Sequence, residues 1–394
     1  MHNFTYYTPT KVVFGKSTET EVGKLIKEQN IKKVLIHYGG NSAIKSGLLN
    51  RVKDSLIKEN INFIELGGVV PNPRLSLVYK GIELCKKENV DFILAIGGGS
   101  VIDSAKAIGY GTTNEGDVWD FYTQKRMPTS CLPIGVILTI SAAGSEMSSS
   151  SVITNDNGNI KRGYSSNYAR PKFAIMNPEL TMTLSPYQTS CGIVDILMHT
   201  MERYFTSYDT SELTDNLAES LLKTIMKYGK TLLQEPNNYK ARAEIMWAGS
   251  LSHNGLTGCG TKDNGDWSTH KLEHELSGKY DVAHGAGLAA IWSTWARYVY
   301  KENKKRFLKF AINVMEIEYN NNIEETIEKS IIKMEEYFKN LKMPIRIHDL
   351  GIKPTAEDLI DMAHKCAIAV GGSCGSIKKL TEQDMLIIYK NALK

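Results

Sequence analysis

"VDFILAIGGGSVIDSAKAIG", residues 90–109, decides how the first half of this chain is read. An apolar strand runs into Gly97, Gly98 and Gly99, and a helix starts at Ser100. Glycines let a backbone approach a phosphate closely, and the N–H groups and dipole of a helix start attract its charge. Ser100 and Asp103 have capping-box spacing, with Asp in place of the usual Glu or Gln. The motif is not G-x-G-x-x-G, so the usual dinucleotide fingerprint is absent, and a ligand-free βα turn can look the same.

Working outward, "KKVLIHYG" (32–39) and "INFIELGG" (61–68) read as further buried strands. Between the strands, "SAIKSGLLNRVKDSLIKEN" (42–60) and "PRLSLVYKGIELCKKEN" (73–89) carry apolar residues at helical spacing. Strand–helix alternation with uniformly apolar strands implies a parallel, doubly wound sheet. A second glycine-rich strand end, "HYGGNS" (37–42), points to a nucleotide lying across the sheet edge. An acidic residue there would bind a ribose 2′-hydroxyl and repel a 2′-phosphate. Gly39, Gly40 and Asn41 carry no charge, which favours NADP and still allows NAD.

After Met182 the β-rich runs almost vanish. Ser185 reads as a helix cap with Pro186 at the first helical position, and helical patterning continues to the end of the chain. A chain of 394 residues is too long for one core. The expected division is an α/β dinucleotide-binding domain over 1–183 and an all-α, metal-binding domain over 184–394. The formal charge of +4 is small and its lysines are scattered, which argues against nucleic acid or a membrane surface as partner. The longest mostly apolar run, "CLPIGVILTISAAG", is too short to span a bilayer. Six cysteines without a C-x-x-C pair, and no visible secretion signal, suggest free thiols in the cytoplasm.

The second half carries a metal pattern. In "TSCGIVDILMHTM" (189–201) a helix that is apolar nearly all round is interrupted by Asp195 and His199, which i, i+4 spacing puts on one face. A buried carboxylate is costly unless it is paired or bound to a metal. "DWSTHKLEHELSGKYDVAH" (266–284) adds His270, His274 and His284. It is not H-E-x-x-H, which argues against a zincin protease, but one carboxylate with imidazoles suits a divalent metal. Spacing alone does not say which of the three histidines are ligands. The small residues of "VAHGAGLAAIW" would let helix and cofactor approach closely, and the other histidines, His2, His37, His253, His348 and His364, read as structural or surface residues.

The ordered motifs "PTKVVFGK", "YGGNSAIKSGL", "GGVVPNPR", "AIGGGSVIDSAKAI", "LTISAAGSEMSSSSVITN", "IVDILMHTMERYF", "NGDWSTHKLEHEL" and "DVAHGAGLA" resemble the iron-containing (group III) alcohol dehydrogenases, in particular their butanol dehydrogenase branch. The likeness runs end to end and implies a dehydroquinate-synthase-like architecture. It implies metal ligands at Asp195, His199, His270 and His284, with His274 facing the substrate as proton carrier. It implies cofactor contacts at Gly39, Gly40, Ser42, Gly97, Gly98, Gly99, Ser100, Thr139, Ser145 and Lys161, with Asn41 in the same turn. Asn41 and Ser141 depart from commoner choices in relatives. The implied metal is Fe2+, and three imidazoles with one carboxylate would also hold Zn2+. The implied reaction moves a hydride between NAD(P)H and small aliphatic aldehydes such as butanal, in a homodimer. A polyol or glycerol-type dehydrogenase of the same fold, and a non-catalytic nucleotide and metal sensor, are the alternatives.

Overall fold

The computed structural model describes all residues except Asp209 and Asn264. It divides into two compact units, Tyr7–Leu184 and Ser185–Lys394, the latter joined by Met1–Tyr6.

The first unit is built on a six-stranded sheet in the order β1-β8-β5-β4-β2-β3. Its strands are β1 Lys11–Phe14, β2 Lys33–Tyr38, β3 Asn62–Leu66, β4 Phe92–Gly97, β5 Ile134–Leu138 and β8 Phe173–Met176, and every pairing is parallel. β4 and β5 are buried along their whole length, because helices cover both faces of a parallel sheet. The edge strands differ: β3 exposes Asn62 and Glu65, so it is not the uniformly buried strand that its sequence suggests. A separate antiparallel hairpin, β6 Ser150–Asn155 and β7 Ile160–Ser165, was not legible as strands.

Two expectations change at the helices. The stretch 42–60 is two helices, Ser42–Lys45 and Leu48–Lys58, because Gly47 adopts a left-handed conformation (φ 69°) that an α-helix cannot contain. The helix after the glycine turn, Gly99–Thr113, takes Gly98 as its N-cap, with no side chain capping it. Ser100 is therefore not the cap, and the Asp103 carboxylate instead accepts from Ser145 Oγ (2.6 Å) and Val152 N (2.9 Å).

Among the described residues the second unit contains only α- and 3-10 helices as named elements. Its first long helix, Pro186–Tyr204, opens as expected: Ser185 Oγ accepts from Gln188 N, and Gln188 Oε1 accepts from Ser185 N. Helices Tyr239–His253, Ser268–Tyr280 and His284–Val299 follow. Its core is one apolar cluster around Trp292, Trp295, Phe205 and Phe310. No helix among the described residues is long and apolar enough to cross a membrane.

Candidate metal centre and dinucleotide turn

Helix Pro186–Tyr204 carries Asp195, His199 and Glu202 at i, i+4 and i+7, one stripe along its axis. Helix Ser268–Tyr280 carries His270, Glu273 and His274, and His284 opens the helix after it. Ligand atoms of Asp195, His199 and His270 lie within 4.8 Å of one another, all three buried. Asp195 Oδ1 is 3.5 Å from His199 Nδ1, 3.9 Å from His270 Nε2 and 3.6 Å from His284 Nε2. The last two exceed hydrogen-bond distance. A tetrahedron of ligands about 2.1 Å from an ion has edges of about 3.4 Å, so these separations suit a shared cation. Asp195 Oδ1, His199 Nδ1 and His270 Nε2 are buried with no hydrogen-bond partner, a combination that is costly without a ligand.

The far side of two of the rings is held by a carboxylate. His270 Nδ1 lies 3.0 Å from Glu202 Oε1, which also accepts from His270 N at 3.0 Å. His284 Nδ1 bonds Glu273 Oε2, and Ser277 Oγ donates to Glu273 Oε1. A carboxylate on Nδ1 fixes the tautomer and leaves Nε2 with a lone pair for a metal. Neither glutamate stood out in the sequence, although Glu202 extends the Asp195–His199 stripe by one turn. His253 was also missed: its ring centroid lies 4.0 Å from that of His199, and Arg203 Nη2 is 3.2 Å from its Nδ1. It has close company at the site, where a structural or surface residue was expected. His274 is buried one turn beyond His270, its ring centroid 6.0 Å from that of His284, outside the converging atoms.

Electrostatics follow from burial and crowding. Burial opposes ionisation of Asp195, but nearby His199, His284 and His270 outweigh it and hold the carboxyl below the usual carboxylate range. Burial drives His199 well below the usual imidazole range, so it is neutral, the state a metal ligand requires. Burial, with Glu202 nearby, pushes Asp266 up to about 6.

Close approach of the helices depends on glycine. A Cβ on Gly285 would lie 2.1 Å from Cys191 O, so only glycine lets helix His284–Val299 lie against helix Pro186–Tyr204. Within "VAHGAGLAAIW", Gly285 thus serves helix–helix contact.

In the first unit, Gly97–Gly99 end β4, and Gly39 and Gly40 follow β2, its hydrogen-bonded neighbour. The chain runs from β2 out to β3 and then back across to β4, so these two ends flank the point where strand order reverses, the usual nucleotide position in such sheets. A Cβ on Gly98 would meet Ile140 Cβ at 2.9 Å, and one on Gly99 would meet Ala143 Cβ at 2.7 Å. Gly40 meets nothing within 4 Å, which leaves open space at that turn. Asn41 and exposed Ser42 start the short helix after it. Ser100 lies in the first turn of helix Gly99–Thr113, and Thr139 N donates to Gly97 O (3.0 Å). Ser141 Oγ is buried without a partner. The Ser145 hydroxyl is engaged within the protein, donating to Asp103 and accepting from Lys106 Nζ. Lys161 sits buried on β7, opposite Thr154.

Residues 9–178 match the iron-containing alcohol dehydrogenase family, and residues 189–393 match the C-terminal domain of Fe-containing alcohol dehydrogenases. The chain is 41% identical to NADH-dependent butanol dehydrogenase A of Clostridium acetobutylicum, with 100% of both chains covered. It is 34% identical to the NADPH-dependent aldehyde reductase YqhD of Escherichia coli, covering 89% of this chain and 90% of that one. The crystal structure of NADH-dependent butanol dehydrogenase A from Thermotoga maritima superposes with a TM-score of 0.96 at 39% identity, covering 100% of this chain and 99% of that one. The fold is therefore of the dehydroquinate-synthase-like kind, and the chain belongs to the iron-containing alcohol dehydrogenase family, as an oxidoreductase of the alcohol dehydrogenase class.

Proposed function

We propose that this alcohol dehydrogenase reduces small aliphatic aldehydes, butanal among them, with NAD(P)H and a divalent metal held by Asp195, His199, His270 and His284, as a cytoplasmic homodimer. The observation that carries the reading is the convergence of one carboxylate oxygen and three imidazole nitrogens, three of the four atoms buried and without a hydrogen-bond partner. That donor set suits Fe2+, which the family name implies, and equally Zn2+. Bound there, the cation supplies Lewis acidity to a carbonyl oxygen, and the dinucleotide supplies the hydride.

The chain's own residues do the rest. Asp195 contributes one negative charge and the imidazoles contribute lone pairs, while Glu202 and Glu273 keep two of the rings in the required tautomer. His274 holds and delivers the proton that balances aldehyde, hydride and alcohol. The backbone at Gly39–Ser42 and Gly97–Ser100 takes the dinucleotide, with Thr139, Ser145 and Lys161 as further contacts. The lack of a carboxylate at Gly39–Asn41 favours NADPH, whereas relatives 39–41% identical are named for NADH. We therefore assign both as substrates.

The test is cofactor oxidation with butanal and other aldehydes, with each cofactor, before and after chelation. Turnover lost on chelation and restored by Fe2+ or Zn2+ is expected. Full turnover in exhaustively chelated protein removes the metal from the mechanism. A protein that binds metal and dinucleotide yet reduces no small aldehyde is the sensor alternative.

A further inference from the structure

The segment between β5 and β6 lies directly on the glycine turn, with Ile140 against Gly98, Ala143 against Gly99 and Thr139 N on Gly97 O. This segment is tied down by two residues of helix Gly99–Thr113, one turn apart. Lys106, with no exposed surface, donates from Nζ to Ser145 O (2.8 Å), Ser145 Oγ (2.8 Å), Ser148 O (3.0 Å) and Ser150 O (2.7 Å). Asp103 accepts from Ser145 Oγ and Val152 N. Two buried, oppositely charged side chains with six hydrogen bonds in all thus grip residues 145–152 from the helix whose N-terminus forms the turn.

Fold stability does not call for this arrangement. A buried charge pair is expensive to desolvate, and well-packed apolar side chains of the same volume commonly serve stability as well or better. The cost is visible in Lys106, whose ammonium burial pushes down to about 8 against the favourable charges of Asp103 and Glu146. What such a pair does achieve is a fixed geometry, since a buried ammonium and a buried carboxylate are satisfied only where their hydrogen-bond partners are in place. The geometry fixed here is that of the wall over the glycine turn, including Thr139 and the partnerless Ser141 hydroxyl.

We propose that Asp103 and Lys106 are positioning residues for the dinucleotide: they hold segment 139–150 preformed against the Gly97–Gly99 turn, so that cofactor binding need not order it. The proposal rests on the reading of that turn as the dinucleotide site. Preorganisation of this kind raises affinity by removing the cost of ordering a loop.

The test uses the full-length protein and three variants: Lys106→Met, Asp103→Asn and the double variant. The double variant removes both charges together, and Asp103→Asn keeps the fold accessible should loss of the ammonium prevent folding. NADH and NADPH affinities are measured by fluorescence titration and Zn2+ affinity by competition with a chromophoric chelator. Steady-state constants for cofactor and butanal, and hydrogen exchange across 139–152, complete the set. The expected result is a dinucleotide Kd and KM raised at least tenfold in the double variant and severalfold in Asp103→Asn. Exchange should be faster in 139–152, with Zn2+ affinity, butanal KM and kcat at saturating cofactor within about threefold of wild type. Folded variants that bind both dinucleotides like wild type overturn the proposal. So does an equal loss of dinucleotide and Zn2+ affinity, the signature of general destabilisation. A wild-type protein that binds neither dinucleotide overturns the reading of the turn, and this proposal with it.

Discussion

At the scale of single residues, the metal centre separates groups that hold an ion from groups that orient its holders. Asp195 and His270 meet across 3.9 Å with nothing else to satisfy the facing atoms. Asp195→Ala or His270→Ala should therefore abolish most metal binding and activity together. Elemental analysis and turnover check this, and full occupancy with wild-type turnover would refute the ligand assignment. His274 makes the opposite prediction. His274→Phe should keep the metal, lower turnover by about 10²-fold, and flatten the pH dependence of turnover between about pH 5 and 8, where an imidazole titrates. Loss of metal in place of loss of the pH profile would make His274 a support for the site and not a proton carrier. The residues that sequence reading passed over, Glu202, Glu273 and His253, share one property: each acts on another side chain. Their roles exist only once His270, His284 and His199 have been brought beside them.

At the scale of elements, two contacts decide how strands and helices lie against one another. Gly285→Ala would place a methyl 2.1 Å from Cys191 O, so the two helices must separate and carry His284 away from Asp195. Overpacking of this kind costs roughly 1–3 kcal/mol. We expect that loss in denaturant unfolding, with a weaker metal affinity besides. Unchanged stability and affinity would show that the helices can slide apart freely. In the sheet, His37 on β2 is fully buried, with Nδ1 donating to Leu66 O (2.8 Å) and Nε2 accepting from Ser104 Oγ (2.9 Å). Burial lowers its pKa from 6.5 to about 4. The unfolded chain thus takes up a proton first as pH falls, and stability present above pH 6.5 is lost down to about pH 4. The shift corresponds to roughly 3 kcal/mol. His37→Gln should lose correspondingly less stability than wild type between pH 7 and 4 in urea unfolding. An identical pH slope in both proteins would remove His37 as the cause.

At the scale of the whole molecule, metal and dinucleotide are ligands of the folded state and should stabilise it. Free Zn2+ or Fe2+ at about 100 times its Kd should add roughly 2.7 kcal/mol, seen as a rise in thermal midpoint that chelation reverses and Asp195→Ala eliminates. A midpoint indifferent to both metals would argue against a built site. The parallel sheet was legible because strands buried on both faces become apolar runs, as Val34–Ile36 of β2 and Phe92–Ile96 of β4 do. Strands β1, β5 and β8 and the hairpin β6–β7 were not singled out: β1 and β8 are only four residues long, too short for a pattern to stand out, and β6 and β7 are not uniformly apolar. Asp195 with His199 was legible too, since four residues is one helical turn and a charged pair in an apolar helix stands out. The sequence by itself thus determined the class of each half and the chemistry of its donors, because those properties are written in periods of two to four residues. Only the tertiary structure decided which histidines converge, why Gly285 must be glycine and what Asp103 and Lys106 hold. His270 stands 75 positions from Asp195, and Lys106 stands 39 from Ser145. Contacts over such separations are set by how the chain reverses and packs, and local periodicity carries no record of that.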